Sequence, residues 1–163
     1  MKIKLNEIIS FLILIILFSL SIYVNIQKDY SNYCELDNSC ILNLIDETKN
    51  FNLCEKSSKI SFCYESISIK YNQSDFCLKT ENLSSCYTKN AVLKNNILLC
   101  DTLDIKEKDQ CIFEVVIYND KIEYCDLSSQ ITKCIYSYAI FKNDSQFCSK
   151  SGEFESSCFE KLK

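Results

Sequence analysis

Cysteine is the residue type here with the most chemistry to offer: twelve occur in 163 residues. Clustered thiols can hold zinc, exchange electrons or cross-link a fold, and spacing separates these uses. Structural zinc wants short C-x2-4-C clips, often with His, but the closest cysteines, Cys34 and Cys40, are six apart and the chain has no His. A dithiol oxidoreductase wants C-x-x-C, and haem attachment wants C-x-x-C-H; neither occurs. Cross-linking remains. An even count at this density is the habit of oxidised extracytoplasmic domains.

Other catalytic constellations are weak. Without His, Ser–His and Cys–His nucleophile pairs cannot form. A single glycine, Gly152, leaves no Gly-rich phosphate loop. Asp101, Asp104, Glu107 and Asp109 crowd the long interval of the fourth copy, but lack the spacing and glycine of a calcium loop. They read as a solvated loop. No catalytic, metal or cofactor site is expected, and the protein is expected not to be an enzyme. The net charge of −4 disfavours nucleic acid as a partner.

The cysteines fall in six pairs: Cys34 and Cys40, Cys54 and Cys63, Cys77 and Cys86, Cys100 and Cys111, Cys125 and Cys134, Cys148 and Cys158. Separations within a pair are six, nine, nine, eleven, nine and ten. From the second cysteine of one pair to the first of the next, the interval is fourteen every time. A constant interval predicts a rigid element and a variable one predicts a loop. The period is that of a repeat array.

After the second cysteine, apolar or small residues recur one, four and five positions on. Tyr64, Ile67 and Ser68 form one such set; Ile112, Val115 and Val116, and Ile135, Tyr138 and Ala139, form others. That is one face of a helix, from which the third copy departs with Asn90. A large apolar residue precedes each first cysteine. Five positions before that cysteine stands Asn72, Asn95, Asp120 or Asn143, shifted to Asn50 in copy two. Such residues suit helix ends and N-caps. The first cysteine is expected to open a second, shorter helix. The expected fold class is all-α, an array of helical hairpins that supply one another's core.

Three cysteine pairings compete. Bonding within each pair needs only the turn between the two arms. Bonding across the constant interval would span a helix about 15 Å long, too far for a disulfide. Bonds between distant copies stay open. Geometry favours pairing within each copy.

Lys2 and Lys4 precede an apolar run over residues 8–24, broken only by Ser10, Ser19 and Ser21. As a helix it would reach about 26 Å, enough for a hydrocarbon core. The expected organisation is a cytoplasmic 1–7, a transmembrane signal-anchor over 8–24, a linker over 25–32 and an ectodomain over 33–163. The lysines place the N-terminus in the cytoplasm. Cleavage after the weak Ser19-Leu20-Ser21 site is the alternative. Three N-x-S triplets begin at Asn72, Asn82 and Asn143, candidate glycosylation acceptors in expected turns.

The run Cys63-Tyr64-Glu65-Ser66-Ile67-Ser68-Ile69, with Cys86-Tyr87, resembles a unit of poorly characterised membrane-anchored archaeal proteins built from cysteine-paired helical repeats. The similarity covers about residues 33–163. Those proteins often carry a basic–acidic pair before the second cysteine, which only Lys108-Asp109-Gln110-Cys111 approximates here. The resemblance implies a helical extracytoplasmic repeat and no particular activity.

The functional expectation is therefore a single-pass membrane protein. Its repeat would bind, adhere or contact the envelope, with a protein or glycan partner at its surface and the bilayer as partner of residues 8–24. The alternatives are a purely structural spacer and a secreted enzyme.

Overall fold

The structure, a computed structural model, describes residues 12–21, Cys34 and residues 36–163. The described residues are helical, with no strand among them. The chain divides into two compact units, Met1–Cys63 and Tyr64–Lys163. Each copy contributes one α-helix, numbered here by copy: α1 Asn38–Thr48, α2 Ile60–Lys70, α3 Leu83–Lys94, α4 Ile105–Asn119, α5 Ile131–Lys142 and α6 Glu155–Lys161.

The constant fourteen-residue interval is a chain of backbone hydrogen bonds. Nine residues after each second cysteine the backbone turns left-handed, at Lys49, Asn72, Asn95, Asp120 and Asn143, with φ between 48° and 57°. Asn tolerates this region better than most residues, and it ends a helix by satisfying its last carbonyls. Asn95 N–H donates to Val92 O (3.2 Å) and Asn96 N–H to Ala91 O (2.9 Å). The second of these bonds recurs as Gln73 to Ser68, Lys121 to Val116 and Asp144 to Ala139. Two residues past the left-handed turn a six-residue 3-10 helix begins: Phe51–Lys56, Ser74–Lys79, Ile97–Thr102, Ile122–Leu127 and Ser145–Lys150. The first cysteine is its fourth residue throughout.

Three expectations are corrected here. The shorter arm is a 3-10 helix that starts before the first cysteine, rather than a helix opened by it. The Asx residues do stand at helix ends as expected, but as left-handed C-caps and not as N-caps. Copy two is not shifted either, because Lys49, not Asn50, takes the left-handed conformation.

The interval within a pair is no simple loop. Three residues link the 3-10 helix to the α-helix in copies two, three and five, and the second cysteine is the fourth residue of α2, α3 and α5. In copy four the extra residues lengthen the helix: α4 has 15 residues, and Cys111 is its seventh. The acidic loop expected there is therefore mostly helix. Asp104 is the N-cap of α4, accepting from Lys106 N–H (3.1 Å) and Glu107 N–H (3.0 Å). Glu107 and Asp109 stand on the helix itself.

In the second unit, α3 packs on α4, α4 on α5 and α5 on α6, each also seating the adjoining 3-10 helices. The core holds Tyr87, Ala91, Ile112, Val115, Val116 and Tyr138 with the buried cysteines. The large residue before the first cysteine covers the preceding helix. Phe76 packs on Tyr64 at 6.0 Å between ring centroids, and Phe147 meets Tyr138 edge-on at 5.2 Å. Asn90, the odd residue of the apolar face, is fully buried. Its amide donates to Ser68 Oγ (2.8 Å) and Cys86 O (2.9 Å) and accepts from the Lys94 ammonium. Burial lowers the pKa of that ammonium.

In the first unit, residues 12–21 are helical, and their large apolar side chains are exposed, from 51% at Ile13 to 70% at Phe18. The Ser19 hydroxyl donates to its own helix, to Ile15 O (2.8 Å) and Ile16 O (2.9 Å). Among the described residues no helix is long and apolar enough to cross a membrane. The expected span of 8–24 is thus unsupported there: only 12–21 of it is described, and the rest, with the linker 25–32, lies outside the described residues.

Candidate interaction groove

The cysteines expected to pair do so: Cys34–Cys40, Cys54–Cys63, Cys77–Cys86, Cys100–Cys111, Cys125–Cys134 and Cys148–Cys158, with Cα–Cα distances of 5.4 to 5.7 Å. No cysteine is free. In copies two to six each bond ties the 3-10 helix to the first two turns of the α-helix; in copy one Cys34 lies in the turn before α1. Disulfides this dense suggest an oxidising environment around a rigid helical protein. Among the described residues no cluster of His, Cys, Asp or Glu could hold a metal ion.

The candidate acceptors lie at two kinds of position. Asn72 and Asn143 are exposed left-handed caps at equivalent places in copies two and five. Asn82 is the exposed N-cap of α3; its side-chain oxygen accepts from Ser85 N–H (2.9 Å).

A groove of about 770 Å³ runs across copies three to five, within the second unit. Its lining includes Ser84 of α3, Lys106, Glu107, Gln110 and Phe113 of α4, and Gln130, Lys133 and Ser137 of copy five. Its size is that of an ordinary ligand cleft. The helical repeat positions these groups: exposed residues one turn apart on α4 face those opening α5. Phe113 is half-buried against the core and offers the groove one apolar patch.

The charged groups divide by what already occupies them. Asp109 is committed to the fold: Oδ1 accepts from Ser128 Oγ (2.8 Å) and Ser129 N–H (2.8 Å), and the other oxygen accepts from the Ser129 hydroxyl. Burial pushes its carboxyl upward, but the Ser129 and Ser128 bonds and the nearby Lys108 ammonium outweigh that and hold it below the usual carboxylate range. Asp104 is committed as the α4 cap. Lys133 Nζ donates to Gln130 Oε1 (3.1 Å), and Gln110 Nε2 to Glu114 Oε1 (3.1 Å). Lys106 and Glu107 form no ion pair among the described residues. The result is a mixed-sign, hydrogen-bonding surface with one aromatic patch.

The tie from Asp109 to Ser128 has a counterpart in the first unit, where Ser57 Oγ donates to Asn38 Oδ1 (2.6 Å). Both serines stand three residues after a first cysteine, and both partners two residues before a second cysteine. Each serine also accepts from the backbone N–H two residues on, Lys59 or Gln130, at 3.0 Å. The hydroxyl therefore shapes the start of its own helix and holds the preceding copy. A hydroxyl recurs at that position as Thr80 and Ser151, but there it donates to the carbonyl of its own first cysteine, Cys77 O (2.8 Å) or Cys148 O (2.7 Å), and Leu103 interrupts the series.

No family model, no curated protein and no solved structure matches this chain.

Proposed function

We propose that this chain is a non-enzymatic binding module, held at a bilayer by residues 8–24, with its cysteine repeat outside the cytoplasm. Its role is adhesion or envelope contact. The observation that carries the reading is the groove across copies three to five, set in a scaffold pinned by one disulfide per copy. Such a scaffold presents preorganised polar groups without the entropy cost of ordering them on binding. The anchor is supported by the apolar run and by the exposed apolar side chains of residues 12–21. Those side chains suit a hydrocarbon phase far better than water. The likeness to membrane-anchored archaeal repeats points the same way.

The test uses the full chain in detergent micelles, applied to envelope fractions and intact cells. The parent protein is expected to bind, and a Glu107→Gln/Lys133→Ala variant with unchanged melting is expected to bind more weakly. Equal binding by both refutes the groove as the binding site, and none by either refutes the binding reading. Extraction of the protein from membranes by alkaline carbonate refutes the anchor.

A further inference from the structure

We infer that the groove across copies three to five takes an uncharged, polyhydroxylated ligand, a neutral oligosaccharide. The assignment rests on the binding-module reading and names its ligand class.

The lining narrows the ligand by elimination. Among the described residues there is no strand edge, so a peptide cannot add to the fold by backbone pairing. An amphipathic helix would need a broad apolar trough, whereas Phe113 is the one aromatic of this groove. A strongly charged ligand is also disfavoured. The lining carries Lys106 and Lys133 against Asp104, Glu107 and Asp109, and neither sign dominates. What the groove offers is donors and acceptors in alternation: the ammoniums of Lys106 and Lys133, the carboxylate of Glu107, the amides of Gln110 and Gln130, and the hydroxyls of Ser84 and Ser137. Vicinal sugar hydroxyls each donate and accept, so they can pair with such a mixture without a net charge. The aliphatic C–H face of a pyranose ring matches the Phe113 patch. Because Asp109 and Asp104 are already engaged by the fold, Glu107 is the groove carboxylate left to accept from a sugar diol.

The experiment is an array of neutral and uronate-bearing oligosaccharides probed with the full chain in micelles, followed by calorimetry on the best neutral binder. A Gln110→Ala/Lys133→Ala variant, and separately Glu107→Gln, are compared with Lys89→Ala, whose ammonium pairs with Glu65 outside the groove lining. The inference expects neutral glycans to bind and the double variant to weaken that binding about tenfold or more. It expects Lys89→Ala to match the parent and the affinity to vary little between low and high salt, since no charge pairing drives it. Binding confined to anionic glycans, or neutral binding that both groove variants leave intact, overturns the inference. Groove-dependent capture of a protein with no glycan binding overturns it too, but leaves the binding module standing. No groove-dependent binding of either kind overturns both.

Discussion

Removing the Asp109 carboxylate should loosen the junction between copies four and five. The carboxylate accepts from the Ser128 hydroxyl, the Ser129 hydroxyl and the Ser129 N–H, all at the turn that opens α5. In Asp109→Ala the buried Ser128 hydroxyl and the exposed Ser129 N–H lose their acceptor. Hydrogen bonds to a charged group contribute about 1.5–3 kcal/mol each when shielded, and less near water. For this half-exposed cluster a loss of about 2 kcal/mol is expected, or about thirtyfold in the local opening constant. Global melting is a poor readout, since repeat arrays open locally. Amide exchange at Ser129 reads the junction directly and should accelerate by that factor. Asn38→Ala, which removes the equivalent but uncharged tie to Ser57, should accelerate exchange at Lys59 only about fivefold. The sign with pH follows from the depressed Asp109 pKa. Its contribution is complete above the unfolded value of about 3.9 and disappears as pH falls through the lower folded value. Protection of the Ser129 amide, taken relative to its intrinsic exchange rate at each pH, should therefore fall in acid for the parent and stay flat for Asp109→Ala. A change below about twofold in the variant at neutral pH would refute the assignment of Asp109 as the tie between these copies.

Other substitutions test the backbone. Lys49 holds a left-handed φ of 56° without the side chain that suits it, so Lys49→Gly should stabilise the first unit by about 0.5–1 kcal/mol in urea unfolding. Gly152 has φ +58°, and a Cβ there would lie 2.9 Å from Thr132 Cγ2. Gly152→Ala should thus cost more than about 1 kcal/mol, and Thr132→Ser should recover the steric part alone. Tyr138 donates to Asp120 Oδ1 (2.6 Å), and burial, with that bond, lifts its phenol to about 12. Its contribution is complete below the unfolded value of about 10 and is lost as pH rises through the folded one. Burial also raises the Tyr87 phenol, so an ultraviolet titration should show one fewer late-ionising phenol in Tyr138→Phe than in the parent.

The constant interval made the helix after each second cysteine legible, because fourteen residues repeated five times leave little freedom. Its ending was half legible. Asn72, Asn95, Asp120 and Asn143 mark a turn, but side-chain chemistry alone suits an N-cap as well as a left-handed C-cap. The φ values decide, and Lys49 shows that position outranks residue type. The six-residue 3-10 helix was not legible, since one to two turns of apolar and charged residues carry no period that separates 3-10 from α. Copy four misleads for a related reason. A longer interval reads as a longer loop until Asp104 is seen capping a helix that begins early. Asn90 looked like a break in the apolar face; it is a buried polar key to Ser68 and Lys94. The groove could not be foreseen, because its lining comes from three copies whose stacking no single repeat encodes.

The most direct measurement is peptide mapping of the unreduced protein after cleavage at lysine. A lysine lies between the two cysteines of every copy but the first, and between each copy and the next. The account predicts five two-chain peptides, Cys54–Cys63, Cys77–Cys86, Cys100–Cys111, Cys125–Cys134 and Cys148–Cys158, with Cys34–Cys40 closed inside one peptide. Free thiols throughout, or peptides joining cysteines of different copies, would contradict it.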